Sequence, residues 1–310
     1  LGVPVIVIAG NHDGPERLGF GSRLLETAGL TVRGNLTADC NPVLFKDAHG
    51  SVAIYPLPYA EPAIVKSILG VEDVADHHQS LKAQLDRVRG SHNAEHRSIV
   101  VSHAFVQGCS VSDSERQLSV GGTGSVGIDV FEGFNYVALG HLHRPQSMDG
   151  ERIHYAGSLM KYSFAEVDHT KSVSLIDMDA QGNVVIEFIE LKPQRDLRII
   201  TGLLEDIVAQ GLEDKRRDDF ILARLTDHGA ILDSMGKIRS AYPNALSIER
   251  IEQEAGSGIA NSNDHRKIGT DALFASFYKE MTGLELENEA LAMLNSQITA
   301  IESAARESNP

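Results

Sequence analysis

The chain has 310 residues, of which 42% are hydrophobic, and a formal net charge of -15 at pH 7. This length allows two domains with ordinary globular cores, and no apolar run is long enough to cross a bilayer as a helix. The acidic balance argues against a surface that coats nucleic acid by bulk electrostatics, although a phosphate substrate held by metal ions is compatible with it.

The chain opens on a run of mostly β-branched residues, Val3 to Ala9, followed at once by G-N-H-D at residues 10–13. The run predicts a strand buried on both faces, and α/β sheets carry their chemistry just past such strand ends. Asn11 offers an oxygen ligand, His12 a group that exchanges a proton near neutrality, and Asp13 a carboxylate able to orient the His12 ring. Alone this is a weak signal, because Asn and Asp are common in turns.

The next stretch alternates between predicted helices and strands. Residues 16–28 predict a single helix with Gly29 at its C-cap, and β-branched clusters at 30–32 and 51–55 predict strands. Residues 62–93 look mostly helical and contain a D-x-H sequence at 76–78. Because no buried strand precedes this sequence, we interpret it as a solvated helix face.

The pattern of a buried strand followed by histidine recurs twice. Residues 97–103 end on His103, and residues 134–143 end on G-H-L-H, which contains His141 and His143. Neighbouring strands bring their ends to one rim of a sheet, so we expect these histidines and Asn11 to lie together. In an extended segment the two imidazoles of G-H-x-H would face the same way and serve two adjacent metal ions. The glycine-rich residues 119–124 lack the Lys-Ser/Thr of a P-loop and predict a flexible loop near this site.

Composition and periodicity divide the chain into four segments. They are an α/β domain at 1–192 that ends in a hairpin, a small α+β unit of β-α-β-α-β order at 193–254, a Gly-, Ser- and Asn-rich linker at 255–267, and two amphipathic helices at 268–310.

The first C-terminal helix has an apolar face that must be buried somewhere. Thr270 is its predicted N-cap, and the face consists of Leu273, Phe274, Phe277 and Met281. It docks either on the chain's own body or on a helix of a partner. The preceding linker makes docking on a partner at least as favoured as docking on the chain itself.

The two cysteines, Cys40 and Cys109, are far apart and outside any C-x-x-C spacing. This predicts reduced thiols in a cytoplasmic protein rather than a disulfide or a zinc site.

Several motifs resemble a known family. The G-N-H-D at 10–13, the S-H at 102–103 and the G-H-L-H at 140–143 resemble the calcineurin-type metallophosphoesterases. Residues 136–146, Y-P-N at 242–244 with I-E-R at 248–250, and F-Y-K-E-M-T-G at 277–283 are similar, more narrowly, to the SbcD nuclease subunits. The resemblance spans nearly the whole chain. It implies a layered α/β metallophosphoesterase sandwich, an α+β capping domain and C-terminal helices that bind an SbcC-like coiled-coil ATPase.

The resemblance also implies an activity and a partner arrangement. The activity is that of a metal-dependent DNA exonuclease and endonuclease in DNA end and hairpin processing, recombination, replication and repair. The arrangement is a homodimer within a heterotetramer, with no membrane.

The resemblance further implies the role of each site residue. Asn11, His103 and His141 would hold one divalent ion and His143 the second, with manganese or magnesium as the metal. His12 would act beside the scissile phosphate, with Asp13 behind it. The D-x-H at the end of a strand and the G-D-x-x-D that complete the family's metal site are not in the sequence. Because a strand begins at the third residue without an initiator Met, we expect them before Leu1 and expect the 310 residues alone to be inactive.

Two alternatives stay open. Another calcineurin-like phosphoesterase, a phosphatase or cyclic-nucleotide phosphodiesterase, would use the same site but would not explain the tethered helices. A non-catalytic adaptor of the ATPase would need only the helices, and the presence of His12 argues against it.

Overall fold

The computed structural model describes residues 2–112, 115, 124–227, 231–251, 270–282, 286–287 and 290–298. The chain forms two compact units, Leu1–Asp196 and Leu197–Pro310. The predicted linker at 255–267 and all but the last residue of the glycine-rich loop lie outside the described residues.

A six-stranded mixed sheet forms the centre of the first unit. Its strands lie in the order β3 (Val43–Asp47), β4 (Gly50–Leu57), β5 (Arg97–His103), β8 (Tyr136–Gly140), β10 (Ile153–Tyr155) and β9 (Gln146–Met148). The inner four strands run parallel, and the two edge strands are antiparallel to their neighbours. The parallel strands are rich in apolar residues because they are covered on both faces. The strands predicted to end on His103 and before His141 are therefore confirmed.

Two helices cover this sheet and complete its core. They are α3 (Pro62–Leu69) and α4 (His77–Ser91), whose residues Leu85 and Val88 are buried in one cluster with Val100 and Val137 of the sheet. The sequence D-x-H at 76–78 is not on a solvated face, so that prediction is wrong. Asp76 is the N-cap of α4 and accepts a hydrogen bond from the Gln79 N–H at 2.8 Å, and the two histidines after it are partly buried.

The first unit also contains two-stranded sheets. They are the parallel pair β1 (Val5–Ile8) and β2 (Leu30–Arg33), the parallel pair β6 (Phe105–Val106) and β7 (Ser125–Val126), and the predicted hairpin, β11 (Ser172–Met178) with β12 (Val184–Glu190). Short 3-10 helices lie at Ile128–Phe131 and Phe164–Glu166.

Two predictions for the opening segment are wrong. Strand β1 is not buried on both faces, since Val5 is 48% exposed and the other three residues are only partly covered. The single helix at 16–28 is two short helices, α1 (Pro15–Gly19) and α2 (Ser22–Glu26). Gly21 lies between them with a φ of 73°, a left-handed conformation that a glycine adopts easily and that interrupts a helix.

The second unit has the predicted β-α-β-α-β order. Its elements are β13 (Leu197–Gly202), α5 (Leu204–Glu213), β14 (Phe220–Leu225), α6 (Ser234–Ala241) and β15 (Ala245–Arg250), and the strands form a parallel three-stranded sheet. A separate core contains Ile207, Ile221, Ile238 and Tyr242.

Helices α7 (Thr270–Thr282) and α8 (290–298) follow in the same unit. Helix α7 already includes Thr270, so the prediction that this residue precedes the helix as its N-cap is wrong. Over the described ranges, every helix is too short or too polar to cross a membrane. Both cysteines are free thiols, as predicted.

Candidate metal centre

His103 lies at the carboxyl end of β5, and its ring packs between two glycines. A Cβ built on Gly10 would lie 2.7 Å from Cε1 of His103, and one on Gly140 would lie 3.0 Å from its Nδ1. The absence of side chains at these two positions therefore leaves room for the imidazole.

The same ring meets the opening loop. Nε2 of His103 lies 2.8 Å from Oδ1 of Asn11, across 92 residues of sequence. The loop is held there by two backbone hydrogen bonds of Ala9. The Ala9 N–H donates to the carbonyl oxygen of Arg33 at 3.0 Å, and the Ala9 carbonyl accepts from the Tyr59 N–H at 2.9 Å. The structure thus brings the first two predicted ligands together.

His141 is the next predicted ligand at this rim. Its ring centroid lies 5.3 Å from that of His103 at an interplanar angle of 82°, and 6.1 Å from that of Phe105. Strand β8 ends at Gly140, and His141 has a φ of 111°. The G-H-L-H segment is therefore not the extended strand that was predicted, because the chain turns at His141.

Burial keeps the rim histidines neutral. It lowers the pKa of His103 to about 4, with further lowering by neighbouring His141 and an opposing effect of Asp13. Burial also lowers the pKa of His141, against the opposing effect of the Glu115 carboxylate. A neutral imidazole has a free lone pair, which is the form that binds a metal ion.

His12 is exposed in the turn after β1. Its charge lowers the pKa of both His103 and His141, which shows that it lies within electrostatic reach of the rim. The Asp13 carboxylate accepts a hydrogen bond from the Gly10 N–H at 2.7 Å, and the Asp13 N–H donates back to the Gly10 carbonyl at 3.2 Å. Asp13 therefore closes the turn that carries His12. The further role of orienting the His12 ring stays a prediction.

His143 is held by a buried carboxylate that the sequence did not reveal. Its Nδ1 lies 2.9 Å from Oε1 of Glu166, which has no exposed surface. The other oxygen of Glu166 accepts from Nζ of Lys171 at 2.7 Å, and this Nζ also donates to the His143 carbonyl at 2.9 Å. A carboxylate at Nδ1 favours the proton on that nitrogen and leaves the Nε2 lone pair for a metal.

Glu115 is a second residue that the sequence reasoning missed. Its Oε1 accepts from the His143 N–H at 2.5 Å, and its Oε2 accepts from the Ser112 N–H at 2.7 Å. The spacing S-x-x-E is a recognisable capping signal, so residues 112–115 were open to detection. Glu166 ends the 3-10 helix Phe164–Glu166, and residues 163–166 have the same S-x-x-E spacing, with Ser163 as the N-cap. Lys171 has no such signal.

Comparison with known proteins shows which family this chain is similar to. Residues 193–282 match the family described as Type 5 capsule protein repressor C-terminal domain, SbcD_C. The SbcD subunit of the SbcCD nuclease of Staphylococcus epidermidis is 32% identical over 286 residues, which is 92% of this chain and 75% of that protein. This chain belongs to the SbcD family. The similarity found in the motifs at 136–146, 242–250 and 277–283 is thereby confirmed, together with the α/β fold class.

The rim of this SbcD-family chain has donors that suit a divalent transition metal. Imidazole nitrogens combined with an amide oxygen are characteristic ligands of such ions. Two neighbouring donors to one octahedral ion lie roughly 3 Å apart, since each metal–oxygen distance is about 2.1 Å. Nε2 of His103 and Oδ1 of Asn11 are 2.8 Å apart, which fits this spacing. In the part of the chain that the structure describes, no three His, Cys, Asp or Glu side chains form a group that could hold a metal ion.

Proposed function

We propose that this chain is the nuclease subunit of an SbcCD-type complex and hydrolyses DNA phosphodiester bonds with divalent metal ions. The observation that carries the proposal is the meeting of Asn11, His103 and His141 at one rim beside exposed His12, in a chain of this family.

The proposed metal ligands are those that the motifs predict. Asn11, His103 and His141 would hold one ion and His143 the second, with manganese as the favoured metal and magnesium as the other choice. When bound, the ions would polarise the phosphate ester and activate water.

The chain's own residues would orient the metal ligands and supply a proton to the substrate. Glu166 holds the His143 ring in one orientation, and the glycines at 10 and 140 leave His103 its place. His12 is exposed, so its side chain could contact a phosphate directly. It would donate a proton to the leaving oxygen or stabilise the developing charge.

The partner would be an SbcC-like coiled-coil ATPase. Helix α7 supports this because Leu273, Phe274 and Phe277 are 44%, 42% and 57% exposed, which leaves much of the predicted face uncovered. The side chain of Met281 lies outside the described residues. The ATPase would also explain how a chain with a net negative charge acts on DNA, since a partner can supply the electrostatic attraction to DNA. A homodimer within a heterotetramer stays a prediction.

The test is cleavage of linear and hairpin DNA by the complete protein with its ATPase, before and after metal removal. Activity should require added manganese or magnesium, and should be lost in His141→Ala but kept in His49→Ala, a control that changes an exposed histidine of the β3–β4 turn. Undiminished cleavage after exhaustive chelation would contradict the mechanism. Hydrolysis of phosphate monoesters or cyclic nucleotides in place of DNA would favour the phosphatase or phosphodiesterase alternative.

A further inference from the structure

The segment at 157–163, which follows β10, presents large apolar side chains to solvent, and one of them lies beside His143. Leu159, Met160 and Tyr162 are 66%, 57% and 64% exposed. The ring centroid of Tyr162 lies 5.7 Å from that of His143, with the planes inclined by 50°. An exposed aromatic side chain thus lies directly next to a proposed metal ligand, and two further exposed apolar side chains precede it in the same segment.

The backbone beneath these side chains is anchored. The Ser158 N–H donates to the His143 carbonyl at 3.1 Å, and the Ser158 hydroxyl donates to the Met160 carbonyl at 2.8 Å. Nζ of Lys171 donates to the same hydroxyl at 2.8 Å. Lys171 therefore connects Ser158 of this segment to Glu166, the carboxylate that holds His143. These hydrogen bonds fix the position of the segment relative to the site.

The segment offers no outward cation. Lys161 is its one basic residue, and that side chain is only 12% exposed. Its Nζ donates to the Val167 carbonyl at 2.8 Å and lies 3.0 Å from a carboxylate oxygen of Asp196. A surface built to hold backbone phosphates would turn this ammonium outward. The exposed carbon and phenol surface instead suits the uncharged face of a base.

We propose that residues 159–162 form a nucleobase platform, on which Tyr162 stacks the unpaired base next to the phosphate that is cleaved. The inference rests on the proposed nuclease function and names the substrate feature that the site takes. Aromatic side chains bind single-stranded bases by stacking with little sequence preference. A base inside a duplex has both faces covered by its neighbours, so the platform selects a frayed end, a hairpin loop or a single strand.

The first test compares cleavage of strands that carry either an intact base or an abasic sugar beside the cleaved phosphate. Wild-type protein and Tyr162→Phe should prefer the intact strand in kcat/KM by about 5- to 160-fold, the range that stacking of one base provides. Tyr162→Ala should cut both strands at nearly the same rate. A loss confined to folding would lower both rates and keep their ratio, whereas loss of stacking removes the ratio. Phe188→Ala, which shortens a 52% exposed aromatic side chain on β12, is the matched control and should keep the wild-type ratio.

The second test needs no cleavage. Single-stranded DNA with 2-aminopurine at successive positions is titrated with protein in chelating buffer, and quenching should occur at one position with wild type and Tyr162→Phe but not with Tyr162→Ala. DNA that binds with equal quenching in all variants, or an intact-base preference that survives in Tyr162→Ala, overturns the platform and leaves the nuclease proposal standing. A complete wild-type protein that, together with its ATPase, neither binds nor cuts DNA overturns both.

Discussion

Substitution of Glu166 by Gln changes the charge of the group that holds His143 while nearly preserving its shape. Glu166 has no exposed surface, Lys171 is 5% exposed, and their charged atoms are 2.7 Å apart. In Glu166→Gln the Lys171 ammonium stays buried with the His143 carbonyl and the Ser158 hydroxyl, which are neutral. We expect this variant to be both less stable and weaker in binding metal.

The size of the loss follows from the burial of the pair. Removing one partner of a buried ion pair costs roughly 3–5 kcal/mol. For a unit as large as Leu1–Asp196, each kcal/mol lowers the melting temperature by about 2–4 °C, so the expected decrease is roughly 6–20 °C. The double variant Glu166→Gln/Lys171→Met removes both charges and should recover most of this stability, because an uncharged replacement of a buried pair is often close to neutral.

Metal binding should not recover in the double variant. Both variants lose the carboxylate that fixes the His143 tautomer, and loss of such a partner typically lowers metal affinity about 10- to 100-fold. Calorimetric melting and manganese titration of the complete protein measure the two effects separately. Glu187→Gln, at an exposed position of β12, is the matched control and should leave both unchanged. An unchanged melting temperature in Glu166→Gln, or a double variant that regains wild-type metal affinity, would refute the reasoning.

Three further predictions concern other parts of the molecule. His12→Ala should keep nearly all bound metal and lose most turnover, whereas His141→Ala should lose metal as well, because only the second residue is a proposed ligand. Phe277→Glu should abolish co-purification with the ATPase while leaving the melting temperature of the isolated subunit almost unchanged, since burying such a side chain on the partner contributes roughly 1.5–3 kcal/mol to the complex. Burial lowers the pKa of His154, so the unfolded chain binds a proton near pH 6.5 that the folded chain does not. The free energy of unfolding should therefore decrease as the pH falls below about 6.5, and less steeply in His154→Gln.

Each of these three has a contrary outcome. Equal metal loss in His12→Ala and His141→Ala would end the division of roles between phosphate and ion. A Phe277→Glu subunit that melts several degrees lower would place the α7 face on the chain's own body, and a fully retained complex would exclude the partner role. Parallel pH profiles for wild type and His154→Gln would show that His154 does not contribute to acid sensitivity.

The strand ends of the central sheet are what the sequence predicted best. Residues 97–103 and 136–140 form buried parallel strands, and a buried strand leaves a local signal because each of its apolar side chains must face the core. The β-α-β-α-β order of the second unit was predicted for the same reason, since β14 is mostly buried. The strands of the hairpin at 172–190 are largely exposed, and their signal was instead the two β-branched runs on either side of the turn residues 179–183. Where a local rule depended on a single residue, as at Gly21 inside the predicted helix, the prediction failed.

The tertiary structure decided what surrounds each histidine. Glu166 lies 23 residues beyond His143 in sequence, and Asn11 lies 92 residues before His103, yet each pair is within 3 Å. No periodicity links such residues, since their contact depends on how loops fold back over the ends of β5, β8 and β10. The depressed pKa of His103 also follows from burial by elements distant in the chain. Residue types at strand ends are thus a property of the sequence, but their protonation and orientation are set by packing, because desolvation and hydrogen bonding act through space rather than along the chain.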